Sequence, residues 1–66
     1  MITIQLPEQW SEELVRMPES GMGYQRINIR LKDGRTLKGV IVLNAEQAQV
    51  SEPFNPDDII ELQLAQ

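Results

Sequence analysis

Ile27-Asn28-Ile29-Arg30-Leu31-Lys32-Asp33-Gly34-Arg35-Thr36-Leu37-Lys38-Gly39-Val40-Ile41-Val42-Leu43 is the stretch that decides the fold. Ile27, Ile29 and Leu31 alternate with Asn28 and Arg30, the period of a half-buried strand. A second β-rich run, Thr36 to Leu43, follows Asp33-Gly34, and an Asp-Gly between such runs is a strong hairpin signal. The register follows from which side chains must share a face. A two-residue turn at Asp33-Gly34 sets Ile29 against Lys38 and Leu37 against Arg30, mixing apolar and charged groups on both faces. A three-residue loop, Lys32-Asp33-Gly34 with Gly34 left-handed as a bulge, sets Ile29 against Leu37 and Ile27 against Gly39. Only the second register makes one apolar face, so it is the one expected. Arg26, Arg30 and Lys38 then share the other face with Asn28, Thr36 and Val40. The continuous apolar run from Val40 to Leu43 predicts a strand covered on both faces. Gly39 ahead of it suits a sharp bend or a close backbone approach.

Working outward, Ile2, Ile4 and Leu6 alternate with Thr3 and Gln5 and predict a first strand that ends at Pro7. Trp10, Leu14 and Met17 fall at helical spacing, with acids early and Arg16 late as the helix dipole favours, so a short helix is expected over Glu8 to Met17. Pro18, Gly21 and Gly23 break regular structure, and Met17 to Gly23 reads as a loop, with Gly21-Met22-Gly23 a flexible connector within it. Beyond the hairpin a short strand fits Ala48 to Ser51, and Pro53 to Asp58 forms a turn. At the end, Ile60, Leu62 and Leu64 alternate as a strand would, while Asn55-Pro56-Asp57-Asp58 has the residues of a helix cap. A one-turn helical corner followed by a strand is the reading taken. The chain is expected to be one mostly-β domain over residues 1–66, a small SH3- or Sm-like barrel of four to five strands with one short helix between the first two.

Sixty-six residues bury only about 60% of the surface that the unfolded chain exposes, which leaves no room for a second domain or a deep cleft. There is no cysteine and no histidine, so disulfides and the usual zinc ligands are excluded, and packing or association must supply the stability. No stretch resembles a signal peptide or the roughly 20 apolar residues of a membrane span, which predicts a cytoplasmic protein with no membrane partner. The net charge of −4 is unevenly spread. Tyr24 to Leu43 carries Arg26, Arg30, Lys32, Arg35 and Lys38 against Asp33, a balance of +4, while the remainder carries Arg16 against nine acids, a balance of −8.

Residues 29–41, with Leu31, Gly34, Leu37, Gly39 and Ile41 in matching spacing, resemble the first motif of the Sm-like RNA-binding proteins. That resemblance implies a bent five-stranded barrel preceded by a short helix, with one glycine in the hairpin and another in the bent second strand. It also implies RNA as a partner. After Ile41 the sequence departs from the family. The Asp and Asn that read a uracil have no counterpart in Asn44-Ala45-Glu46-Gln47, and the second motif with its Arg-Gly or Lys-Gly is missing. Met17 to Tyr24 resembles a stretch of short uncharacterised bacterial proteins, which implies no activity.

Catalysis is not expected, because acid/base and nucleophilic chemistry at neutral pH draws mostly on His, Cys or paired groups, and Ser11, Ser20 and Ser51 have no evident base beside them. No cofactor or metal is expected either. Gly21-Met22-Gly23 lacks the Lys and Ser/Thr of a phosphate loop, and Asp57, Asp58 and Glu61 lack the spacing of a calcium loop. Two binding readings remain. Met17, Met22 and Tyr24 cluster around the glycine loop, where flexible sulfur side chains and an aromatic form an adaptable contact surface for a protein partner or a second copy. Alternatively, Arg26, Arg30, Arg35 and Lys38 form a nucleic-acid-binding patch, although only Tyr24 offers a ring for stacking and the cations can instead pair with Glu12, Glu13 or Glu19. The first reading is preferred, since the chain is acidic and poor in aromatics.

Overall fold

The computed structural model describes residues 1–65. They form strand β1 (Ile2–Gln5), helix α1 (Glu8–Val15), β2 (Tyr24–Leu31), β3 (Thr36–Leu43), β4 (Gln47–Val50), a single 3-10 turn (Pro56–Asp58) and β5 (Ile59–Leu64). All pairings are antiparallel, and the strands lie in the order β1-β4-β3-β2-β5. The sheet is open: no ladder joins β1 to β5 among the described residues. The helical corner followed by a strand is what the C-terminal segment adopts, with Asn55 Oδ1 accepting the Asp57 N–H at 2.9 Å.

The hairpin uses the three-residue loop. Leu31 N–H donates to Arg35 O, Gly34 N–H donates to Leu31 O, and Gly34 takes φ +97°, a left-handed value that glycine adopts without a Cβ penalty. Ile29 faces Leu37 as expected, but Ile27 faces Val40 and not Gly39. The cause is a bulge: Lys38 and Gly39 together oppose Asn28, whose Oδ1 accepts the Gly39 N–H at 3.0 Å, with Gly39 at φ +66°. One extra residue reverses the facing of everything beyond it. Val40 is therefore buried in the core and does not join the polar face, while Ile41 and Leu43 sit half-buried on the outer face. Nothing approaches Gly39 closely, so the glycine serves the bend alone.

A second bulge, between Arg30 and Leu31 where they pair with β5, has the same consequence at the C-terminus. Ile59 and Leu62 are buried, and Ile60 is 52% exposed, which replaces the simple alternation of Ile60, Leu62 and Leu64. The inner side chains of all five strands, together with Leu6, Leu14 and Phe54, make one core. α1 is shorter than its periodicity suggested, because Arg16 already acts as its cap and Met17 lies beyond it. Leu14, fully buried, anchors the helix, while Trp10 and Met17 pack partly against the core. Burying a leucine contributes about 1.5–3 kcal/mol, a large share of the helix's attachment.

Candidate interaction site

Among the described residues, Gln25 is the one polar side chain buried in this core, at 3% exposure. It lies in phase with Ile27, Ile29 and Leu31 on β2 and so must point inward. Its Nε2 donates to the Leu14 carbonyl at 2.8 Å and to the Met17 carbonyl at 3.2 Å, with Pro18 O at 3.5 Å. The last turn of a helix leaves carbonyls without α-helical donors; Leu14 O takes the Met17 N–H at 3.0 Å, and Gln25 adds a second donor there and one to Met17 O from the neighbouring strand. That contact holds the end of α1 and the start of the following loop against β2.

The loop itself is hydrogen-bonded along its length. Ser20 N–H and Gly21 N–H both donate to Tyr24 O, Arg26 N–H donates to Ser20 Oγ at 2.9 Å, and Gly23 N–H donates to Glu19 Oε2 at 2.9 Å. Gly21 and Tyr24 bridge across a corner with Met22 and Gly23 at its tip. The Tyr24 ring lies where a Cβ on Gly21 would sit, so any larger residue there would displace the ring. Met22 at the tip is fully exposed.

Opposite this loop, β3 and β4 are joined at Asn44-Ala45, with Glu46 N–H donating to Leu43 O at 3.0 Å. Both corner residues are left-handed, Asn44 at φ 54° and Ala45 at φ 59°, the backbone of a primed hairpin turn. Asn tolerates that conformation well, but Ala is strained there by about 1–2 kcal/mol. Asn44 N–H donates to Gly23 O at 3.1 Å and ties the turn to the loop. Between them lies a concavity of about 450 Å³, walled by Val15, Met17, Tyr24 and Ala45 with Glu19 and Asn44. Val15 is 74% exposed beside it. Of the three residues expected to form a contact surface, Met17 and Tyr24 meet in this concavity, and Met22 projects next to Gly23, which also lines it. Val15 and Ala45 were not singled out by sequence. The apolar Val15 among Glu12, Glu13 and Arg16 was a signal for the first, whereas nothing marked Ala45 as left-handed.

The basic residues have a different fate. Arg30 meets Glu61 at 3.4 Å, Lys32 meets Asp58 at 3.2 Å and Arg35 meets Asp33 at 2.8 Å. The partners come from β5, its preceding turn and the hairpin loop, not from Glu12, Glu13 or Glu19. The Arg35 backbone N–H above all, and then its guanidinium, hold the Asp33 carboxyl below its ordinary range. Arg26 stands exposed on the outer face, and Lys38 lines a second, smaller concavity of about 380 Å³ between Thr36–Val40 and Gln49–Glu52. That slot opens because β4 pairs with β3 only along Ile41, Val42 and Leu43. Register places Tyr24, Arg26, Asn28 and Arg30 on one outer face with Gln47, Gln49 and Gln63.

Among the described residues no group of three or more acidic side chains is placed to hold a metal ion, and no helix is long and apolar enough to cross a membrane. No protein-family model matches the chain, and neither a curated protein nor a solved structure matches it.

Proposed function

We propose that this chain is a non-catalytic, cytoplasmic protein-interaction module and that the concavity between the Met17-to-Tyr24 loop and the Asn44-Ala45 turn is its binding surface. The carrying observation is an open apolar wall of Val15, Met17, Tyr24 and Ala45 with fully exposed Met22 beside it. Exposed apolar groups gathered around a concave surface mark a contact site. Ala45 adds support, since a non-glycine residue held in a left-handed conformation is found more often than elsewhere at functional positions. The SH3- or Sm-like barrel, in a single domain, belongs to the same proposal. The left-handed Gly34 and Gly39 at the hairpin loop and the bend support it.

Binding partners selected from a peptide display library should shift the amide resonances of Val15, Met17, Tyr24 and Ala45, and Val15→Ser with Met22→Ser should abolish capture. Shifts confined to β1 or to the basic hairpin would overturn this reading. Self-assembly through the same surface would show as concentration-dependent sedimentation that the two serine variants remove.

Nucleic-acid binding is the second reading, favoured by Tyr24, Arg26 and Arg30 on one amide-rich face. Three of the hairpin cations are already engaged by acids, which lowers the charge available to phosphates. RNA affinity that falls steeply with salt and drops in Arg30→Ala and Lys38→Ala would establish it.

A further inference from the structure

Resting on the interaction reading above, we infer that the partner at the concavity is a basic protein segment, with one large apolar side chain seated on Val15, Met17, Tyr24 and Ala45 and flanked by Lys or Arg. Three observations converge on that chemistry. First, the ion pairs take up Arg30, Lys32 and Arg35, so the acids left without ion-pair partners among the described residues include Glu8, Glu12, Glu13, Glu19 and Glu46. Residues 1–23 hold Arg16 as their one cation against four of these acids.

Second, one of these acids lines the concavity and two more sit close in the chain to residues that do. Glu19 lines it, Glu46 follows Ala45 in the same turn, and Glu12 lies three residues before Val15, one turn away on the same side of α1. Third, the Gln25 amide behind the wall already donates to the Leu14 and Met17 carbonyls, so its N–H groups are not left to select a polar ligand. An apolar floor under an anionic rim fits an apolar anchor with cationic flanks. It repels phosphates and anionic lipid surfaces.

A second copy of this chain fits less well. It carries the same acidic rim and a net charge of −4, with Arg26 and Lys38 the hairpin cations outside ion pairs among the described residues.

The test uses short synthetic peptides titrated into the isotopically labelled chain and followed by amide shifts. Each has a central tryptophan flanked by lysines, serines or glutamates, and a fourth has lysines around alanine. The lysine-flanked tryptophan peptide should bind tightest, with shifts centred on Val15, Met17, Tyr24 and Ala45. Glu12→Gln and Glu46→Gln should each weaken it roughly threefold, and high salt should do the same, as for exposed ion pairs. Equal binding of the serine-flanked peptide at the same residues would overturn the basic-partner inference and leave the interaction reading standing. Equal binding of the alanine peptide would overturn it too, because charge alone would then suffice. No shift at the concavity with any peptide would overturn both readings.

Discussion

At the Lys32-Asp33-Gly34 end of the β2–β3 hairpin the charges of Lys32, Asp33 and Arg35 each have a partner, and a glycine takes the left-handed position. At the Tyr24 and Leu43 end, an alanine takes a left-handed position, Val15 and Met22 face solvent, and the neighbouring acids have no ion-pair partners among the described residues. The same two strands thus connect a pole whose local demands are met to one whose demands are not. Natural sequences depart from local consistency mainly where function requires it. The contrast between the poles is what the proposed binding role of the second would produce.

The contrast breaks most completely if the open pole loses its internal support. Gln25→Ala removes the donor to the Leu14 and Met17 carbonyls and leaves a void beneath α1. It should cost about 2–3 kcal/mol in urea unfolding. A cost below about 0.5 kcal/mol would show that water replaces the amide and that the clamp is dispensable.

Swapping the turn residues sharpens the comparison, because the two poles should respond with opposite signs. Gly34→Ala forces a Cβ into φ +97° and should destabilise by about 1–2 kcal/mol. Ala45→Gly relieves φ 59° and should stabilise by about 0.5–1 kcal/mol, after the larger chain entropy of glycine is subtracted. If the interaction reading holds, that stabilised variant keeps its fold while its partner affinity changes.

Smaller effects are expected from the charges of the closed pole. A double-mutant cycle on Arg30 and Glu61, both well exposed, should give about 0.5 kcal/mol at low salt and nothing measurable at high salt. Asp33 has a folded-state pKa lowered from 3.8. Its contribution is complete above the unfolded-state value and is lost as pH falls through the lowered one. Unfolding curves at stepped acidic pH should show this small loss in the wild type and not in Asp33→Asn.

The hairpin loop and the Ile29–Leu37 pairing were legible in the sequence because a three-residue loop with Gly34 was the register that gave one apolar face. The bulges were harder to read. Gly39 announced a bend, but only the Asn28 side chain bonded to its N–H shows that two residues oppose one, and that detail moves Val40 from the outer face to the core. Ile59 and Ile60 are adjacent and equally apolar, so composition could not say which one turns inward. Parity alone pointed Gln25 inward with Ile27 and Ile29, and the helix end it would satisfy was fixed only by the packing of α1. The cations of the candidate site were visible, while their partners Glu61 and Asp58 lie far along the chain and meet them only through β5.

The pairing of β1 with β4 has a consequence for how the chain folds. Ile2 pairs with Val50, so this ladder closes across most of the chain, whereas the β2–β3 hairpin closes across three loop residues. Loop-closure entropy rises with the length of chain enclosed, so the local hairpin gains its contacts at a lower cost in chain freedom and forms first. β1 then docks last on a nearly finished sheet. Its four residues, exposed along most of their length, are also the first to come away. Hydrogen exchange at Ile4 reports that partial opening, well before the hairpin amides report the unfolding of the whole domain.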